Sequence, residues 1–236
     1  MAAYTFLDPL YLEWYKKGQY DRSGIFALTT DLGQSHWMLA GAGSIILFMT
    51  TYRFPKSVFH AIHWHHIFLK FYFAFTTISF SGLLVLLFKN GIGRARPKFY
   101  EGYDIWYSSP FGDAYTFASF PSGHSTTAGA AAMIIVLLLP RYSLLAVLFA
   151  LWVGVSRMMV GAHFPSDVVA GLALGAGFAW IYARSFARKR LLFEFGAKGH
   201  LQMRDLSAKR ARKKMQKTQQ PLSAWGFSNS RTMLNK

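Results

Sequence analysis

The chain contains no cysteine. That excludes disulfides, a thiolate metal site and a cysteine nucleophile, and it leaves the compartment open. Charge is scarce as well: only 15% of the 236 residues are charged, while 53% are hydrophobic. Acids are the rarer sign, 10 against 26 Lys and Arg, for a formal net charge of +16. The first thirty residues lack the basic start and unbroken apolar core of a secretory signal, because Asp8, Glu13, Lys16, Lys17, Asp21 and Arg22 interrupt them.

So large a positive excess suggests nucleic acid, but its position argues otherwise. Arg184 ends the last apolar segment, and Arg188, Lys189, Arg190, Lys209, Arg210, Arg212, Lys213, Lys214 and Lys217 follow it. Basic flanks of this kind set membrane topology and bind anionic headgroups. We therefore expect anionic lipids at the tail and no nucleic acid.

Five apolar segments, 35–52, 66–88, 124–140, 142–160 and 167–184, are long enough or nearly so to cross a membrane. They predict an all-α, polytopic membrane helix bundle with about five to six transmembrane helices. Residues 1–33 predict one or two amphipathic helices at the interface, with Tyr4, Phe6, Leu7, Leu10, Tyr11 and Trp14 on the apolar face. The chain then divides into an N-terminal interfacial segment (1–33), a transmembrane catalytic bundle (34–186) and a basic cytoplasmic tail (187–236). Arg53 and Lys56, Arg141 and the tail fall on one face, which the positive-inside rule makes cytoplasmic. The linkers 89–123 and 161–166 then share the opposite face. Gly171 with Gly175, Ala173 with Gly177, and Gly129 with the alanines after it have the spacing that lets helix backbones approach closely in lipid.

Those two linkers and the ends of their flanking spans hold nearly all the chemistry. The first stretch is Lys89, six residues, then Arg96-Pro97. The second is Phe120-Pro121-Ser122-Gly123-His124, and the third is Ser156-Arg157, five residues, His163, three residues, Asp167. Ionisable groups in a membrane protein usually mark a functional site. Lys89, Arg96 and Arg157 can neutralise phosphate oxygens. Ser122-Gly123 and Ser166-Asp167 each follow Phe-Pro and open an apolar helix, so two helix N-termini are expected to face one anion. His163 and Asp167, four apart, suit an imidazole oriented by a carboxylate, and His124 suits a proton donor to a leaving oxygen.

These three stretches resemble the three-part signature of the type-2 phosphatidic acid phosphatase superfamily over residues 89–167. The resemblance implies a metal-independent phosphatase working through phosphohistidine. His163 would be the nucleophile, Asp167 its orienter and His124 the general acid. Lys89, Arg96, Ser122, Gly123 and Arg157 would bind phosphate, with no metal and no cofactor. Membrane members commonly have six spans, one more than the five apolar segments here.

Other features are ambiguous. Arg94 and Lys98 either extend the positive field of the site or are solvated loop charges. His60, His63, His65 and His66 around Trp64 read as an interfacial anchor rather than a metal site. Between Lys98 and Phe120 lie Phe99, Tyr100, Tyr103, Trp106, Tyr107, Phe111, Tyr115 and Phe117, an aromatic loop suited to the headgroup region, where Asp104 and Asp113 can bond headgroup hydroxyls.

The expectation is an integral enzyme of a bacterial cytoplasmic membrane, with its site on the outer face. It would hydrolyse a lipid phosphomonoester or diphosphate: phosphatidylglycerophosphate, phosphatidate, undecaprenyl diphosphate or lipid A phosphate. A lipid phosphotransferase using the same site and a non-enzymatic lipid transporter are the alternatives.

Overall fold

The computed structural model describes residues 6–18, 24–52, 58–102, 105, 107–197 and 199–204. Tyr4, Asp21, Arg22, Arg53, Lys56, Tyr103, Asp104, Trp106 and the basic residues from Lys209 onward lie outside them.

Five long helices follow the five apolar segments: α3 (Ser35–Thr51), α4 (Val58–Ile92), α5 (Gly123–Leu138), α6 (Ser143–Met159) and α7 (Pro165–Arg188). Two short ones precede them, α1 (Asp8–Lys16) and α2 (Ile25–Thr30). A small antiparallel hairpin, β1 (Phe193–Phe195) with β2 (Leu201–Met203), follows α7. Among the described residues, three helical stretches are long and apolar enough to cross a membrane: His60–Ile92, Pro140–Met159 and Pro165–Arg188. Gly123–Leu138 is apolar but shorter. The protein is an all-α membrane helix bundle, and the hairpin is its one strand element among the described residues.

α5 sits at the centre, packed against α4, α6 and α7. Small residues permit this. A Cβ on Gly175 would collide with the Thr126 carbonyl, and one on Gly129 with the Leu172 carbonyl. A Cβ on Gly171 would stand 2.5 Å from the Ser122 carbonyl oxygen. The glycine spacing in α7 therefore sets how closely the starts of α5 and α7 approach. Large apolar side chains face outward instead: Leu83, Leu86 and Leu87 on α4, and Leu144, Leu145 and Leu148 on α6. Such a surface fits surrounding lipid rather than water.

The two ends of the chain differ from expectation. A basic tail was expected from residue 187, yet Leu192 and Phe193 are fully buried against Phe73 and Phe186. Phe73 and Phe193 meet edge to face, 5.0 Å between ring centres. Hydrophobic residues at 191–195 outweigh the basic composition around them, so the hairpin belongs to the bundle. At the other end, the two short helices expected before residue 33 are present, and α1 is docked. It buries Asp8, Tyr11 and Leu12, while Phe6, Leu7 and Leu10 stay exposed. The Tyr11 hydroxyl donates to the Met158 carbonyl at 2.6 Å. Gly161 adopts φ +64°, and a Cβ there would strike the Tyr15 ring. Glycine is thus required both by the backbone and by the helix lying over it.

Candidate active site

Four helix ends and one folded-back segment meet at the site. Lys89 is in the last turns of α4, and its ammonium lies over Gly123, where a Cβ would stand 3.7 Å from Nζ. Arg96 follows on a strip that pairs with the loop after it. Ala95 N–H donates to Tyr107 O at 3.2 Å, Arg96 N–H to Thr116 O at 3.0 Å, and Ser119 N–H to Arg94 O at 3.0 Å. Arg157 ends α6, and its Nη1 donates to Thr30 Oγ1 at 2.8 Å. Ser122 is the N-cap of α5, as its place before the apolar run suggested; its Oγ accepts from Ser125 N–H at 3.4 Å. The next two amides, Gly123 and His124, have no protein acceptor among the described residues.

Lys89, Arg96 and Arg157 all lie near enough to act electrostatically on both His163 and His124. Arg96 Nε, Arg157 Nε and His124 Nε2 are buried without a hydrogen-bond partner among the described residues. Each such group costs about 1–3 kcal/mol when left unpaired. Several unmet donors beside a helix N-terminus suit a tetrahedral oxyanion.

His163 is almost fully buried, and its Nδ1 is 2.7 Å from the Ser119 carbonyl. A carbonyl only accepts, so the neutral ring carries its proton on Nδ1 and leaves the Nε2 lone pair free. Asp167 is not directly on the imidazole: its Oδ2 is 4.0 Å from Nδ1. That oxygen instead accepts from Ser119 Oγ at 2.5 Å and from Phe164 N–H at 2.9 Å. Ser119 thus bridges carboxylate and imidazole, the first by its hydroxyl and the second by its carbonyl. Spacing singled out the pair, but the bridge comes from 44 residues away in sequence and carries no signal there. Burial pushes the His163 pKa well down, and Lys89, Arg157 and Arg96 push it further, against the Ser119 bond.

Two expectations are corrected here. Of the two helix N-termini expected to face the anion, that of α5 alone is open among the described residues. That of α7 is already capped, since Asp8 Oδ1 accepts from Ser166 N–H at 3.0 Å and Asp167 takes Phe164 N–H. Arg94 is neither part of the anion-facing field nor a solvated charge. It is 3% exposed, donating from Nη1 to Asp167 Oδ1 at 2.6 Å and from Nη2 to Asp8 Oδ2 at 2.8 Å. Its guanidinium also lies over the Phe164 ring at 4.2 Å. Lys98 does stay exposed, stacked on Tyr115 at 4.0 Å.

Of the remaining features, His60, His63, His65 and His66 occupy the first turns of α4, at the opposite end from Lys89. In the aromatic loop, Phe111 is 84% and Tyr115 63% exposed. A cavity of about 530 Å³ opens beside Lys89, Gly123 and His124, and runs between α3 and α4 past Leu39, Ile78 and Leu83. Gly33, just before α3, packs closely on α5 and α6: a Cβ there would stand 2.6 Å from Val153 Cγ1 and 3.3 Å from the His124 Cβ.

The chain belongs to the PAP2 superfamily, whose profile matches residues 69–191. It is 42% identical over 175 residues to the lipid A 1-phosphatase of Rhizobium etli, covering 73% of this chain and 75% of that protein. The lipid A 1-phosphatase of Rhizobium johnstonii is likewise 42% identical, over 73% of this chain and 71% of that one. The crystal structure of a transmembrane PAP2-type phosphatidylglycerolphosphate phosphatase from Bacillus subtilis is 27% identical, covers 80% of this chain and 82% of that one, and superposes with a TM-score of 0.47.

Proposed function

We propose that this PAP2 lipid phosphatase removes a phosphate from lipid A, with His163 as its nucleophile. The choice of lipid rests on the similarity to the two Rhizobium proteins along nearly three quarters of the chain. The chemistry rests on one observation: Arg96, Arg157 and His124 each hold a buried nitrogen without a hydrogen-bond partner among the described residues, and both arginines lie near enough to act electrostatically on His163.

The steps follow from the geometry. Phosphate oxygens take up the Arg96 and Arg157 guanidinium groups, the Lys89 ammonium and the amides of Gly123 and His124, with Ser122 shaping the turn. His163 Nε2 attacks phosphorus. The P–N bond forms as the ester P–O bond breaks, and His124 gives its proton to the departing oxygen. Water then attacks the phosphohistidine, loses a proton to His124 and frees inorganic phosphate and His163. Charge is supplied by fixed side chains, and Asp167 is committed to Arg94 and Ser119, so the reaction is metal-independent.

The lipid remainder lies in the cavity between α3 and α4, polar at Gln34, Ser35 and His36 and apolar deeper in. We take α3 to α7 as five spans. At ~1.5 Å per residue, α3 and α5 measure ~25 Å, short of the hydrocarbon core but within what local thinning accommodates. Lys89, Arg96, Arg157 and His163 gather at one end of the bundle, which we place on the outer face of a bacterial cytoplasmic membrane. A transporter would carry its polar groups at mid-membrane on broken helices.

The test is free phosphate released by purified protein from lipid A, phosphatidylglycerophosphate, phosphatidate and undecaprenyl diphosphate. Lipid A should turn over fastest, and His163→Ala should release none. Phosphate that appears only on a second added lipid would make the protein a phosphotransferase.

A further inference from the structure

We propose that Asp8 and Arg94 are positioning residues for the nucleophile, so that the N-terminal helix completes the active site. The inference rests on His163 acting as proposed above.

The contacts form an unbroken chain from α1 to the imidazole. Asp8 Oδ2 holds Arg94 Nη2 at 2.8 Å, and Arg94 Nη1 holds Asp167 Oδ1 at 2.6 Å. The other Asp167 oxygen takes the Ser119 hydroxyl at 2.5 Å, and the Ser119 carbonyl takes His163 Nδ1 at 2.7 Å. Asp8 and Asp167 are fully buried, and Arg94 is 3% exposed. A parallel route runs through Ser166, whose hydroxyl donates to Asp8 Oδ2 at 2.6 Å and accepts from Arg94 Nη1 at 2.8 Å. With Asp8 also on Ser166 N–H, α1 fixes the first turn of α7, directly after His163.

Three buried charges are a poor way to gain stability alone. A well-packed apolar cluster would serve as well or better, while breaking one partner strands the others. What such a group does supply is a fixed geometry, and here its last member is the group that orients a nucleophile. Asp8 also lies outside the residues that match the superfamily profile, 69–191. The support from α1 is therefore a feature of this chain beyond the matched bundle.

The decisive variant is Asp8→Asn in the full-length protein, assayed on lipid A in detergent with vanadate as a probe of the phosphate pocket. Asn fits the space but leaves Arg94 with one carboxylate, Asp167, instead of two. We expect kcat to fall by ~30-fold or more, with KM and the vanadate inhibition constant within about threefold of wild type. Arg94→Lys keeps the charge but loses the fork between two carboxylates, and should show the same split. A monodisperse Asp8→Asn protein with kcat within about threefold of wild type overturns the proposal, as does parallel loss of kcat, KM and vanadate affinity. If Asp8→Asn is not monodisperse, Ser166→Ala decides: a kcat several-fold lower at constant KM supports positioning, and unchanged kcat overturns it. Failure of the underlying reading looks different. Wild type would release no phosphate, or His163→Ala would stay active, and the positioning inference would fall with it.

Discussion

The Nδ1 of His163 lies 2.7 Å from the backbone carbonyl of Ser119, inside a hydrogen bond that no side-chain substitution at Ser119 can delete. The Ser119 hydroxyl, by contrast, can be deleted, and it is what ties this carbonyl to Asp167. The two halves of the bridge are therefore separable. Ser119→Ala keeps the tautomer and loosens the carbonyl, so kcat should fall by ~10-fold with KM little changed. Asp167→Asn loses the charge facing Arg94 as well and should cost ~100-fold or more, while His163→Ala should leave no turnover. Steady-state kinetics of the three variants checks the order; a Ser119→Ala protein as impaired as Asp167→Asn would mean that the hydroxyl does more than tether.

The acid limb of the pH profile should sit low. The attack we propose needs neutral His163, and both burial and the charges of Lys89, Arg157 and Arg96 disfavour the imidazolium. Its pKa in the folded protein is therefore depressed, and the reactive form persists to lower pH than for a free histidine of pKa ~6.5. kcat/KM measured from about pH 4 to pH 8 at constant ionic strength should hold well below ~6.5 before declining. An acid limb at or above that value would mean that the free-enzyme nucleophile is not this buried imidazole.

Much of the fold was legible because long apolar runs wind as helices, and three of these helical stretches are long and apolar enough to cross a membrane. The segments placed at 35–52, 124–140, 142–160 and 167–184 became α3, α5, α6 and α7 with ends shifted by a few residues. α4 starts earlier than its apolar core, at Val58, because the His-rich stretch before residue 66 also winds as helix. Gly129, Gly171 and Gly175 were legible as close-packing positions and do meet backbone carbonyls, but Gly177, read the same way with Ala173, has nothing packed against it. The motif residues were read from their order and spacing, and the structure gathers Lys89, Arg96, Ser122, Gly123, His124, Arg157, His163 and Asp167 at one end. Missed were the groups whose meaning depends on a partner distant in sequence. Ser119 lies next to a motif, yet nothing local says that its carbonyl meets a ring 44 residues on. Asp8 and Arg94 are 86 residues apart and look like ordinary surface charges until the fold pairs them. The hairpin was hidden by the basic residues on either side of Leu192 and Phe193.

Chelation should leave activity intact. The residues we assign to the reacting phosphate are cationic or neutral, and the one motif carboxylate is held by Arg94, Ser119 and Phe164 N–H. A divalent cation would meet the repulsion of Lys89, Arg96 and Arg157. Turnover should be unchanged after EDTA and dialysis, and vanadate should inhibit by forming a five-coordinate adduct on His163 Nε2. Activity lost to EDTA and regained with Mg²⁺ or Zn²⁺ would require a different mechanism.

The two parts of the C-terminal region should respond differently to mutation. Residues 205–236 follow β2 in sequence, and in the five-span arrangement we propose the C-terminal end of α7 is on the face opposite His163, about 30 Å away. Deleting them should leave kcat in detergent within about twofold of full length, while weakening association with anionic vesicles, since each basic residue near such a surface contributes about 1 kcal/mol. Phe193 is another matter. It is fully buried against Phe73, so Phe193→Ala opens a cavity where the hairpin meets α4 and α7. It should lower the apparent melting temperature in detergent while the folded fraction keeps its kcat, because that cluster lies at the other end of the bundle from Lys89. Thermal denaturation read alongside turnover separates the two effects. A hundredfold loss of kcat on removing 205–236, with the melting temperature unchanged, would mean that the tail reaches the phosphate site and that the five-span arrangement is wrong.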